Sequence, residues 1–250
     1  MATPNETKAL HNQSGVSSIF GLIINLEDRV DRKDSAASQI TQISFPIEFV
    51  SAIPASIISD EEASYLPKAA VACWMSHKKA YEILLKSNHT HAVVIEDDFK
   101  ILDLKKIELI LESIREYEID LLQLGFLNKG VRQRIHTISA NIETSAFKVL
   151  ALVSKWPILN ATNLENRLRV RRASECLPGI VPDDFRSGAH FYLISRNMAS
   201  EILKFNNPVF LTADNLLEAS VWSQRFKAYR VKQSLVDQSN SISSIKGNHD

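Results

Sequence analysis

The chain has 250 residues, 45% of them hydrophobic, and its 29 basic side chains balance 29 acidic ones to a formal net charge of zero. That apolar content can bury a substantial core in one domain, and the neutral balance excludes a nucleic-acid footprint spread over the whole surface. No stretch reaches the roughly 18 consecutive apolar residues of a membrane span, and residues 1–18 lack the apolar segment of a secretory signal, so a cytoplasmic chain with a flexible polar leader is expected.

The first element follows that leader. Residues 19–26 are apolar and rich in β-branched side chains, which predicts a strand. A helix is expected over residues 32–43 and a short strand over 47–50, with Pro54 and Pro67 punctuating the loop that follows. Ala70, Trp74, His77, Tyr81 and Leu84 then recur at spacings of four, three, four and three, the signature of one buried helical face within residues 68–87. Cys73 lies on the same stretch, far in sequence from Cys176, so the two cysteines read as reduced structural thiols.

The next segment carries the most chemical information. Ala92, Val93, Val94 and Ile95 predict a buried strand, and Glu96, Asp97 and Asp98 follow at once. Ligands in open α/β sheets collect beyond the carboxyl ends of strands. Adjacent carboxylates raise one another's pKa unless a cation compensates them, so the triplet suits a divalent ion holding a phosphate. An exposed acidic turn is the competing reading. His89 and His91 flank this strand without any zinc-type spacing.

Beyond it, Asp103 can cap a helix that turns Ile107, Ile110, Leu111, Ile114 and Tyr117 inward, and residues 120–125 predict another strand. The second half is less regular. A strand is expected over 147–153, a polar loop around 160–166, and a basic segment from Arg167 to Arg172 reads either as a phosphate-facing strand or as a charged edge strand. Residues 189–195 predict a buried strand, 196–205 a helix, and 208–214 lead into a further short helix. A last strand is expected over 228–236, and the Ser/Asn-rich residues 239–250 form a flexible tail. Strands and helices alternate, as in an α/β domain spanning residues 19–238.

Five of these segments, in this order, resemble glycosyltransferase family 25, the bacterial lipooligosaccharide galactosyltransferases and their relatives. They are Ile24-Asn25-Leu26 with Arg29 and Arg32, Cys73-Trp74-Met75-Ser76-His77, Val94-Ile95-Glu96-Asp97-Asp98, Ala189-His190-Phe191-Tyr192-Leu193-Ile194-Ser195, and Asp214. Two details depart from the family pattern: Ala72 stands where a glycine is usual, and Thr212-Ala213-Asp214 replaces a commoner Pro-Val-Asp. The resemblance implies a GT-A-type fold, a single α/β/α sandwich with a mostly parallel central sheet. It also implies a metal-dependent, inverting glycosyltransferase that moves a hexose onto a sugar hydroxyl of lipooligosaccharide or lipopolysaccharide, with UDP-galactose as the expected donor.

The chemistry of sugar transfer assigns roles to these residues. A departing nucleoside diphosphate gains negative charge, which Mn²⁺ or Mg²⁺ offsets through oxygen ligands. Following the resemblance, Asp98 is the expected direct ligand, with Asp97 as a second ligand and Glu96 and Asp97 also able to reach the donor through water or ribose hydroxyls. Asn25, Arg29 and Arg32 would contact the nucleotide, although Glu27, Asp28 and Asp31 could instead tie the arginines into exposed ion pairs. Ser76 and His77 are donor-side candidates by the resemblance, a hydrogen-bonded core histidine being the alternative for His77. An inverting transfer needs a general base. Asp214 is the candidate, with Asp183 and Asp184 as rivals and a helix N-cap as the other explanation of Asp214. The expected partners are a UDP-hexose, a glycolipid or oligosaccharide acceptor and the inner membrane surface, met peripherally through cations such as Arg167 to Arg172, and no nucleic acid. A non-catalytic nucleotide-sugar or carbohydrate-binding module, and a metal-dependent phosphohydrolase, are the alternative functions.

Overall fold

The computed structural model describes residues 18–113, 117–127, 179–182, 188–223 and 225–238. In chain order its elements are β1 (Ile19–Asn25), α1 (Val30–Ile40), β2 (Ile47–Ser51), a 3-10 turn (Ala55–Ile57), α2 (Lys68–Lys86), β3 (His91–Glu96), β4 (Phe99–Ile101) and α3 (Leu104–Ser113). They continue with β5 (Leu121–Gly125), β6 (Ile180–Pro182), β7 (Phe191–Ser195), α4 (Arg196–Leu203), α5 (Ala213–Trp222), β8 (Ala228–Val231) and β9 (Val236–Gln238).

These strands form one sheet in the order β2-β1-β3-β7-β5-β8-β6, and β9 joins β5 to β4. β1, β2, β3, β5, β8 and β9 run one way, while β4, β6 and β7 run the other. The sheet is therefore mostly parallel, as expected, with antiparallel β7 at its centre. Helices cover both faces, which is why β1, β3 and β7 carry near-continuous apolar runs instead of a polar alternation.

Strand parity sorts the core into two layers. Successive side chains point to opposite faces, so Phe20, Leu22, Ile24, Ala92, Val94, Tyr192 and Ile194 pack in one layer with Trp74, Tyr81 and Leu84 of α2, Met198 and Ile202 of α4, and Leu216 and Leu217 of α5. Ile19, Ile23, Val93, Ile95, Phe191 and Leu193 point the other way, toward Ala36 of α1 and Ile107, Ile110 and Leu111 of α3. Trp74, His77, Tyr81 and Leu84 are all buried, so the periodic stripe in the sequence is the buried face of α2.

Several boundaries differ from the sequence reading for identifiable reasons. α1 starts at Val30, ahead of the expected residue 32. The single strand expected over 228–236 is two, β8 and β9, separated at residues 232–235, and β9 pairs with the unforeseen β4. Thr212, and not Asp214, caps α5: its side chain accepts the Asn215 N–H. Asp103 does accept the Lys106 N–H at 3.0 Å, as its capping role required. The expected strand over 147–153, the loop at 160–166, the basic segment Arg167 to Arg172, Asp183, Asp184, the leader as far as residue 17 and the tail from 239 lie outside the described residues.

Candidate active site

The carboxyl ends of β1 and β3 lie side by side, with Ile24 registered against Glu96. Parity then divides the polar residues. Asn25 continues the face that carries Ile23 and meets α1, whereas Glu96 continues the face of Ala92 and Val94 and meets α2. Asp97 and Asp98 occupy the turn between β3 and β4.

On the α1 side a buried polar network forms. Asn25 Nδ2 donates to Asp97 Oδ2 at 2.7 Å, and Arg32 Nη1 donates to Asp97 Oδ1 at 2.9 Å. Both oxygens of Asp97 are thus engaged by protein donors. Arg32 Nη1 is 3.7 Å from Asp98 Oδ2, which also accepts from Gln238 Nε2 at 3.0 Å. Asp98 Oδ1 is buried and has no donor among the described residues. Burial, followed by the charge of Glu96, raises the pKa of Asp98 above the ordinary carboxylate value.

On the α2 side, His77 Nε2 lies 3.3 Å from Glu96 Oε1, and His77 Nδ1 lies 2.9 Å from the Tyr192 hydroxyl, itself 2.6 Å from that of Tyr81. Burial pushes the Glu96 carboxyl up, but the His77 hydrogen bond and the nearby charges of His77, His190 and Arg32 outweigh it and hold Glu96 below its ordinary value. Ser76 is turned to structural use: its Oγ donates to Ala72 O and accepts the Ile53 N–H, each at 2.8 Å.

A cleft with about 790 Å³ of empty space, open on one side, joins the two halves, and its lining includes Arg32, Cys73, His77, Glu96, Asp98 and Gln238. Apolar walls with a few convergent polar groups are the composition of a small-ligand site. Ser76 and Asp97 also reach its wall, and Asn25 stands behind Asp97. Arg29 is turned away into a two-bonded exposed pair with Asp31, at 2.9 and 2.8 Å. Asp214 lies in the first turn of α5, where its carboxylate accepts the Ala189 N–H at 2.7 Å and the Gly188 N–H at 3.2 Å. Burial and then Glu96 raise its pKa. Gly188 has φ +113, and a Cβ there would come within 2.8 Å of the His190 ring, so Asp214 steadies a turn that only glycine enters without strain.

A sequence model of glycosyltransferase family 25, described as an LPS biosynthesis protein, matches residues 19–217. The chain belongs to glycosyltransferase family 25. The match spans β1 to the middle of α5, and so includes both halves of the cleft except Gln238. This family 25 protein is therefore a glycosyltransferase of lipopolysaccharide biosynthesis, using a nucleotide-sugar donor and a glycan acceptor. Its α/β fold is that of a GT-A-like enzyme, and the phosphohydrolase and non-catalytic readings give way. No curated protein matches the chain significantly. Among the described residues, no helix of the transferase is long and apolar enough to cross a membrane.

Three residues of the site were not singled out as site residues from the sequence. Cys73 reads there as a structural thiol, although its spacing of four from His77 on a helix was a usable signal. Gln238 has no local signal, since β9 reaches Asp98 only through tertiary pairing. Tyr192 reads as core, and its hydroxyl matters only because α2 delivers Tyr81 and His77 to it.

Proposed function

We propose that this transferase moves galactose from UDP-galactose onto a sugar hydroxyl of a lipopolysaccharide-type acceptor, with inversion at the anomeric carbon and with Mn²⁺ or Mg²⁺ held at Asp98. The supporting observation is the buried Asp98 Oδ1, a carboxylate oxygen on the cleft wall without a donor among the described residues. A buried acceptor left unsatisfied costs free energy, and a hard cation with oxygen preference fits that position. When bound, such an ion offsets the charge that develops on the departing diphosphate.

The chain's own residues do the remaining work in this reading. Asp97 and Asn25 lock Arg32 beside Asp98, where its guanidinium supplies a fixed positive charge near the phosphates. His77, oriented through Tyr192, keeps Glu96 ionised on the cleft wall. Asp214, with its raised pKa, takes the acceptor proton, and Glu96 is the competing carboxylate because it lines the cleft. Arg29 serves the donor from the rim, on exchange of its Asp31 partner.

One assay tests these assignments. Purified protein with Mn²⁺ should transfer hexose from UDP-galactose faster than from UDP-glucose, and Asp98→Ala should lower the metal-stimulated rate at least about 100-fold while keeping the native circular dichroism. Asp214→Asn should lose transfer but keep UDP binding. Metal-dependent turnover surviving in Asp98→Ala would remove the ligand assignment, and loss of transfer in Glu96→Gln with Asp214→Asn still active would move the base to Glu96.

A further inference from the structure

Opposite Asp98, the cleft carries a second donor set of different chemistry. Cys73 and His77 are one helical turn apart on α2 and project from the same face. Glu96 ends β3 across from them. One ligand atom from each of the three lies within 4.8 Å of the other two, and His77 Nε2 is already 3.3 Å from Glu96 Oε1. All three line the cleft.

We propose that Cys73, His77 and Glu96 form a binding site for a thiophilic divalent ion of the zinc class, separate from the oxygen-only position at Asp98, and that an ion bound there blocks transfer. The binding half stands on the geometry alone, and the blocking half rests on the transferase reading.

Donor chemistry separates the two positions. A thiolate, an imidazole and a carboxylate are the ligand types of Zn²⁺, whereas Mn²⁺ and Mg²⁺ favour oxygen. Bond lengths of about 2.3 Å to sulfur and 2.0 Å to nitrogen and oxygen imply tetrahedral edges of about 3.3–3.5 Å. The His77–Glu96 edge already has that length, and the Cys73 sulfur, within 4.8 Å of both atoms, closes the triangle by side-chain rotation. Three protein ligands leave a fourth position facing the cleft, the arrangement of an open zinc site.

The surroundings of His77 supply an independent argument. A metal-ligating histidine presents one nitrogen to the ion and fixes its other through a hydrogen bond. His77 does this: Nδ1 is held by Tyr192, whose hydroxyl is in turn held by Tyr81, and the imidazole stacks on the Tyr192 ring with centroids 6.0 Å apart and planes 15° from parallel. Nε2 is thereby aimed at Glu96 and the cleft. Binding replaces the Cys73 thiol proton and the His77 Nε2 proton that faces Glu96 with the metal, both protons leaving to solvent, and His77 Nδ1 then donates to the Tyr192 hydroxyl. An ion held by these three lining residues also occupies the cleft that Asp98 shares, which is how it would stop transfer.

Cobalt supplies the test, because a cobalt–thiolate bond absorbs in the near ultraviolet and needs no enzymatic turnover to be seen. Metal-free full-length protein titrated with Co²⁺ should develop that absorption to one equivalent. One equivalent of Zn²⁺ should abolish it, and excess Mn²⁺ should not. Cys73→Ser should lose the band, Asp98→Asn should keep it, and the isosteric Glu96→Gln should keep it with affinity at least about 10-fold weaker. Absence of the band in the native protein, or its persistence in Cys73→Ser, overturns the site. In the transfer assay, Zn²⁺ should inhibit the native enzyme at concentrations at least about 10-fold below those needed for Cys73→Ser, each measured against its own zinc-free rate. Equal sensitivity overturns the blocking role. A protein that binds cobalt as described but turns over no UDP-hexose would sink the substrate assignment and leave the metal site standing.

Discussion

Asp97 and Asp98 are neighbours with opposite electrostatic situations. Asp97 accepts from Asn25 and Arg32, so its charge is matched inside the fold. Asp98 has one oxygen without a donor among the described residues, and burial together with Glu96 raises its pKa. A raised folded-state pKa means that the folded protein holds the proton more tightly than the unfolded chain. The resulting stabilisation is complete below the unfolded carboxylate value of about 3.9 and is lost as pH rises through the higher folded value. At neutral pH an ionised Asp98 therefore costs stability. Asp98→Asn should raise the thermal midpoint of the metal-free protein at pH 7, by about 2–4 °C for each 1 kcal/mol relieved. The difference should shrink toward pH 4, and an unchanged or lower midpoint at pH 7 would contradict this account. The acidic triplet itself is plain in the sequence. Which of its members is satisfied is not, because the deciding partners, Asn25, Arg32 and Gln238, are 72, 65 and 140 positions away from the aspartates they contact.

At the scale of elements, the junction between β7 and α4 holds the centre of the sheet to its helical layer. Ser195 ends the strand and caps the helix: its Oγ accepts the Met198 N–H at 3.1 Å and donates to Asp120 Oδ1 at 2.7 Å. The other Asp120 oxygen accepts the Lys227 N–H at 2.9 Å, so one carboxylate ties the starts of β5 and β8 to the end of β7. Ser195→Ala removes the cap and leaves Asp120 short of a donor, an expected loss of about 1–2 kcal/mol. A urea midpoint lowered by that amount, with unchanged transfer kinetics, is the outcome to look for; altered kinetics would tie the junction to the site. This element was legible, since an apolar run closing in Ser before a 3.6-residue pattern marks a strand-to-helix boundary. The same local logic located α2 and the Asp103 cap. It merged β8 and β9, because both lie along β5 and only the assembled sheet separates them, β8 by its other pairing with β6 and β9 by its other pairing with β4.

For the molecule as a whole, the candidate active site is closed by a strand from late in the sequence. β9 pairs with β4 and β5, and thereby delivers Gln238 to Asp98 Oδ2. This contact lies beyond residue 217, where the family match ends. In the proposed reading, Gln238 holds Asp98 Oδ2 and leaves Oδ1 for the cation. Gln238→Ala should raise the Mn²⁺ concentration for half-maximal transfer by about 10-fold, the usual effect of losing a hydrogen bond to a metal ligand, with little change in rate at saturating metal. An unaltered metal requirement would show that Asp98 is held without it. The α/β plan was readable from alternating elements and the mostly parallel sheet was implied by the family resemblance, whereas the antiparallel entry of β7 at the centre was legible from neither.

What the sequence determined by itself is local in physical origin: the periods of 2 and 3.6 that mark strands and helices, the caps, and the concentration of carboxylates after one apolar run. Matched motifs in their order along the chain also carried the family. The tertiary structure decided which face each residue serves, because a strand buried on both sides shows no alternation, so nothing in the run from Ala92 to Ile95 says that Glu96 turns toward His77 while Asp97 turns toward Arg32. It also decided which charges are matched inside the fold, since burial and the distance between remote groups set that balance and neither is a property of neighbouring residues.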